Sequence, residues 1–162
     1  MRAMNKSPLH LVVRFSDTMF GVGDVVAEHN ELVNQYGAVW FGKLGSPLSQ
    51  VRVDLLNKQI DQKVPTFLYL VKGNRKKSTA YCANLMFVTR DFPKDKALIP
   101  IYYKKKKLID FMKVWMKIGK IELIEMDAMI KLKAINSIYP IAETLVKSSS
   151  GYFLVHESKS IF

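Results

Sequence analysis

Lysine beside aromatic rings is the combination in this chain with the clearest chemical use. Tyr102 and Tyr103 abut the run Lys104-Lys105-Lys106-Lys107, and Trp115 lies between Lys113 and Lys117. Further basic groups are Arg75-Lys76-Lys77, Lys94 with Lys96, and Lys120. Cationic side chains hold phosphates and flat rings stack on bases, so the interleaving suits a nucleic-acid strand. The plain alternative for each run taken alone is a solvated loop or face.

Other chemistry has less behind it. His10, His29 and His156 are spread along the chain without metal-ligand spacing. Ser148-Ser149-Ser150 before Gly151 has no nucleophile-elbow pattern, and no glycine-rich loop ends in Gly-Lys-Ser or Gly-Lys-Thr. Glu157-Ser158-Lys159 has the acid-x-lysine spacing with which one nuclease class holds a metal and activates water. A tripeptide so near the C-terminus reads better as a tail. These readings predict a non-catalytic binding protein with no cofactor and no metal, and keep a metal-dependent nuclease or a scaffold subunit as alternatives.

The totals agree with a polyanion partner. Twenty-five Lys+Arg against fourteen Asp+Glu give a net charge of +11, and each phosphate neutralised releases condensed counterions. A hydrophobic content of 49% in 162 residues closes one ordinary core, which predicts a single domain over 1–162 with its core at about 9–157. Lone Cys82 excludes an internal disulfide, so a cytoplasmic setting is expected. Arg14 interrupts the apolar run Leu9 to Val13, which is too short for a signal peptide or a membrane span.

Elements that could position the basic and aromatic residues follow from periodicity and breakers. Leu9–Phe15 predicts a first strand, and Asp24 and Gly37 bracket a helix whose apolar residues include Val25, Leu32 and Val33. Ala38–Lys43 is a second strand; Ser46-Pro47 then starts a helix running to about Gln62, with Leu48, Val51, Leu55 and Ile60 as its stripe. Phe67–Val71 and Thr79–Val88 form two strands around a basic hairpin loop, and Leu98–Tyr103 is a further strand. Around Phe111–Ile124, Leu108, Met112, Trp115 and Gly119 would fit a helix, but the alternation from Met112 to Ile118 predicts a strand with Met112, Val114, Met116 and Ile118 inward and Phe111, Lys113, Trp115 and Lys117 outward. A short helix over Pro140–Lys147 and a closing strand Gly151–His156 complete an α+β order with a curved or barrel-like sheet. For Trp40 and Phe41, core packing competes evenly with a binding role.

Several segments carry a family likeness. Val39-Trp40-Phe41-Gly42-Lys43-x-Gly-x-x-Leu48-Ser49, the Phe67–Val71 strand, Ile99-Pro100-x-Tyr102-Tyr103, Val114–Ile118 and Tyr152–Glu157 resemble the EVE and YTH-like branch of the PUA-like superfamily. They look closest to the nucleic-acid-reading module of McrB-type modification-dependent restriction proteins. The resemblance implies a curved sheet or open barrel with flanking helices and an aromatic pocket for a modified or flipped-out base. By position, Trp40, Phe41, Tyr103 and Trp115 would line that pocket, with Ser46 or Ser49 reading a base edge. Lys43, Arg75, Lys76, Lys77, Lys104, Lys105, Lys106, Lys107, Lys113 and Lys117 would hold the backbone. Nucleic acid is the implied partner, DNA before RNA, alongside a separate motor or nuclease subunit; the paired-tryptophan spacing of YTH readers is absent.

Overall fold

Asp24 starts helix α1 (Val25–Tyr36) by accepting a hydrogen bond from the Ala27 amide at 2.9 Å, and Gly37 ends it in the left-handed region at φ 87°. The Gly37 amide returns to the Val33 carbonyl at 2.7 Å, satisfying one of the open carbonyls of the last turn. Asp17, ahead of the helix, accepts from the Val25 amide and pairs with Lys72 at 2.7 Å, which ties the helix start to the sheet. The computed structural model describes residues 7–17, 23–45, 48–73, 78–135, 141, 145 and 152–157.

The strands are β1 (Leu9–Phe15), β2 (Val39–Lys43), β3 (Phe67–Gly73), β4 (Ser78–Thr89), β5 (Val114–Ile118), β6 (Glu122–Ile124), β7 (Leu132–Ala134) and β8 (Tyr152–Glu157). They form one mixed sheet in the order β2-β5-β4-β3-β1-β8-β7, with β6 joined to β4. β1 and β3 run parallel, Leu11 opposite Leu68, whereas β2 and β5 are antiparallel, Phe41 opposite Met116. The first half of β4 pairs with β3 and β6 and its second half with β5, and the register shifts between Leu85 and Phe87. An extra residue there increases local twist, which lets one strand serve two parts of a curved sheet.

One face of the sheet closes over Leu11, Val13, Phe41, Leu68, Leu70, Val114, Met116 and Ile118, with Val25 of α1 and Val53 and Leu56 of α2 (Gln50–Asp61) packed against it. Leu68 to Val71 are all buried, because β3 is covered on both faces. Three helix amides fix the helices to backbone that the strand ladder leaves open. Asn57 receives the Val88 N–H and donates to its carbonyl at 2.9 and 2.7 Å; Gln59 does the same for Leu9, and Asn30 for Ile121. Each clamp supplies a buried donor and acceptor that would otherwise cost about 1–3 kcal/mol apiece.

Several expected elements differ. Leu98–Tyr103 is not a strand: Lys96–Leu98 is a 3-10 turn and Ile101–Lys105 forms the short helix α3. Pro100 has no N–H for a ladder, its carbonyl accepts from the Tyr103 amide at 3.1 Å, and burial of Tyr103 outweighs the β preference of the sequence. The second helix begins at Gln50 with Ser49 as its cap rather than at Pro47; Ser46 and Pro47 lie outside the described residues. Its buried residues are Val53 and Leu56, which share a face with the partly buried Ile60 at i, i+3 and i+7 spacing, while Val51 and Leu55, on another face, are exposed. The strand after Phe111 is split at Gly119 into β5 and β6. The expected Pro140–Lys147 helix and the tip of the basic hairpin, 74–77, fall on residues outside those described, apart from Ile141 and Leu145.

Candidate nucleic-acid interface

Strand β2 exposes alternate residues to opposite faces, so Trp40 and Gly42 share the face turned away from Phe41. On that face lies Trp115 of β5, opposite Gly42 in the register. Residues 92–112 fold across both. Tyr103 of α3, Leu108 and Met112 complete an aromatic cluster with Trp40 and Trp115, whose exposures are 2% for Tyr103, 4% for Trp40 and 1% for Trp115. A Cβ at Gly42 would come 2.8 Å from Met112 Cγ and 3.0 Å from Trp115 Cζ3, so a residue without a side chain is required there. Trp115 therefore does not face outward with Lys113 and Lys117, and Met112 packs with it rather than with Val114 and Met116. The alternation is as read within β5, but the covering segment makes the second face interior.

Trp40 and Tyr103 find internal partners for their polar atoms. Trp40 Nε1 donates to Asp95 Oδ1 at 2.7 Å, and Lys117 Nζ stands 3.3 Å from Asp95 Oδ2 and 5.8 Å from the Trp40 ring centroid. Hydrogen bonding and the Lys117 charge hold the Asp95 carboxyl below its usual range, against the upward push of burial. Asp95 thus fastens the 92–100 stretch to the sheet. His29 Nδ1 lies 2.8 Å from the Val25 carbonyl, which can only accept, so that nitrogen carries the proton. Its Nε2 then accepts from the Tyr103 hydroxyl at 3.1 Å, whose oxygen accepts from the Gly42 amide at 3.0 Å. Burial lowers the His29 pKa to about 4 and raises that of Tyr103 to about 12, so both stay neutral.

The outer side of residues 92–109 is open. A cleft of about 580 Å³ separates it from α1, a size in the range of ligand pockets. Phe92, 44% exposed, presents its ring there, with Lys96 Nζ 5.8 Å from the ring centroid and Lys104 on the same wall. Behind it the ring meets Trp115 edge-on, centroids 5.9 Å apart. Ile99, Pro100 and Ile109 supply apolar lining, and Glu28, Glu31 and Leu32 of α1 form the opposite wall. This arrangement can stack a flat ring, attract a phosphate at one side and accept hydrogen bonds at the other.

The residues nominated from sequence are divided by the fold. Trp40, Tyr103 and Trp115 do come together, in a sealed cluster. Phe41 lies across the strand in the main core, and Phe41, Lys43 and Tyr103 also line a narrow cavity of about 50 Å³ at the ends of β1 and β2. That space suits a few waters rather than a base. Lys43 is half-buried and donates to the Arg14 carbonyl at 3.0 Å; burial and the Arg14 charge lower its pKa. Ser49 spends its hydroxyl on the Arg52 amide at 3.3 Å. Lys104, Lys105, Lys106, Lys107 and Lys113 are exposed, whereas Ser46, Arg75, Lys76 and Lys77 lie outside the described residues. Glu157 pairs with Lys131 at 3.2 Å, and among the described residues no group of three or more His, Cys, Asp or Glu is placed to hold a metal. Phe92, Glu28 and Glu31 were missed: Phe92 sits in a loop without periodicity, and the glutamates read as an ordinary polar helix face.

A mixed curved sheet with flanking helices carries an aromatic-walled cleft lined by both acidic and basic side chains, an arrangement of a binding module. The family profile described as Pua-like matches residues 11–162, and the chain belongs to that family. Membership points to a nucleic-acid-binding module, a class generally without catalysis. Comparison with curated proteins and with solved structures gave no match. Among the described residues no helix is long and apolar enough to cross a membrane.

Proposed function

We propose that this chain is a non-catalytic reader that takes a modified or flipped-out base into the cleft between α1 and residues 92–109. In this reading it binds DNA in preference to RNA, in the cytoplasm, as the specificity element of a modification-dependent restriction or defence system. A separate motor or nuclease subunit would act on what it finds. The observation that carries the reading is the exposed Phe92 ring with Lys96 and Lys104 beside it in a cleft of about 580 Å³. Extruding a base costs a few kcal/mol, and stacking on a ring in a partly dry slot recovers it. Trp40, Tyr103 and Trp115 support this as the rigid layer behind Phe92, and Lys104 to Lys107 extend the cationic rim along the outside.

The test is binding to one oligonucleotide context carrying modified and unmodified bases, as DNA and as RNA. Phe92→Ala is expected to weaken binding by about 1–3 kcal/mol and to flatten the preference among bases, with the melting temperature nearly unchanged. Equal affinity of Phe92→Ala and the unaltered protein for every oligonucleotide would remove the cleft from the function.

A further inference from the structure

The cleft is unusual in this basic protein for the way its charges are sorted. Glu28 and Glu31 stand on the α1 wall, and Lys96 and Lys104 on the facing wall. Among the described residues the ion pairs are Lys72–Asp17, Lys117–Asp95 and Lys131–Glu157, so none of these four cleft charges is neutralised by a neighbour. Glu28 is half-buried, at i and i+3 spacing from Glu31, which brings both carboxylates to one side of the helix. A surface that only needed to hold phosphates would gain nothing from carboxylates, which repel them. The complement of this cleft is a molecule with negative charge at one end and hydrogen-bond donors at the other.

We infer that the Glu28 and Glu31 wall selects a nucleobase bearing an exocyclic amino group, adenine, cytosine or guanine, and rejects thymine and uracil. This rests on the proposed role of the cleft as the base site. Ionised carboxylates only accept hydrogen bonds, so they pair with the N–H groups of amino-bearing bases. Thymine and uracil offer one ring N–H flanked by two carbonyl oxygens, and those oxygens meet the carboxylates like against like. Discrimination comes as much from that repulsion as from attraction. Lys96 and Lys104 fix the opposite end, since the phosphate is drawn to their wall and driven from the other. The base therefore enters with its hydrogen-bonding edge toward α1 and its face on Phe92.

The experiment uses the full chain and single-stranded DNA of eleven thymidines or of ten thymidines around one central adenine, cytosine, guanine or abasic site. The expected result is that each amino-bearing base binds roughly 5- to 150-fold tighter than thymine, with the abasic strand no tighter than thymine. Glu28→Gln, whose amide can donate to a carbonyl, should bring thymine to within about threefold of the others. Should that variant fold poorly, Glu31→Gln, on the exposed part of the wall, should narrow the gap in the same direction. Phe92→Ala separates the two levels. If Phe92→Ala weakens binding yet thymine binds as well as the rest, or neither glutamine variant narrows the gap, the selection is overturned and the cleft stands. If Phe92→Ala changes nothing, or no strand binds, the cleft itself fails and the inference with it.

Discussion

The two sides of residues 92–112 use the same materials for opposite ends. Facing the sheet, Tyr103, Leu108 and Met112 seal Trp40 and Trp115, and the Trp40 N–H and the Tyr103 hydroxyl both have internal partners. Facing α1, Phe92 and four charged side chains meet solvent, and the charges are unpaired among the described residues. Tryptophan carries an N–H that must be satisfied when buried, and Asp95 satisfies the one on Trp40. Phenylalanine carries none and can wait at a cleft without a polar debt. An aromatic residue beside lysines is thus a ligand group only where its far side is open, and Asp95 is what fixes which side that is.

The largest test of this contrast is Trp115→Ala. A residue 1% exposed under Tyr103 and Met112 should lose about 3–5 kcal/mol of stability, read by denaturant unfolding. The folded fraction should still bind, because the ring reaches the cleft only through Phe92. A Trp115→Ala protein that melts normally and binds weakly would make Trp115 a cleft residue after all.

Acid should loosen the sealed side next. His29 is neutral in the fold with a pKa of about 4, below its ordinary 6.5, so the unfolded chain takes up the proton first. Its contribution is complete above about pH 6.5 and is lost as pH falls toward 4, reaching about 3 kcal/mol. Unfolding midpoints measured from pH 7.5 to 4 should therefore fall, and more gently in His29→Gln. His10, whose pKa burial also lowers, leaves a residual slope in that variant. Parallel curves for the two proteins would mean that His29 is protonated in place.

On the open side the expected effects are smaller and appear in binding. Lys96→Ala removes the cation 5.8 Å from the Phe92 ring and should weaken binding by less than Phe92→Ala, at about 0.5–1 kcal/mol. Stability should be unchanged, since Lys96 is exposed and makes no ion pair among the described residues. A loss equal to that of Phe92→Ala would assign to charge what is here assigned to stacking.

Much of the frame was legible because local signals act alone. Asp24 and Gly37 bracket α1 by backbone chemistry, and the alternation puts Val114, Met116 and Ile118 on the core face of β5 as read. What was illegible depends on distant segments. Ile101-Tyr102-Tyr103 has strand character, yet the chain folds it as a helix because Tyr103 must reach His29 and Gly42. Nothing near Trp115 says that residues 92–112 will cover it. Likewise the cleft joins Glu28 to Lys104 across nearly half of the chain, a meeting that no spacing announces.

The finest version of the comparison sets two lysines against each other. Lys104 is exposed at the cleft, while Lys117, also nominated for the nucleic-acid backbone, is held 3.3 Å from Asp95 and 5.8 Å over the Trp40 ring. A lysine that neutralises a phosphate releases a counterion, so Lys104→Ala should remove about 0.7–0.9 from the slope of log affinity against log salt, for all sequences alike. Lys117→Ala should leave that slope unchanged, because its charge is already answered by a carboxylate. Its cost should appear as a loss of stability under about 1 kcal/mol, the usual worth of a partly exposed ion pair. Salt titrations on the two variants, with thermal unfolding of each, separate these outcomes. Should Lys117→Ala shallow the slope, Asp95 must release Lys117 when a strand binds, and with it the tether that holds Trp40. The sealed side would then open on binding, and the division between the two sides would belong to the unbound protein alone.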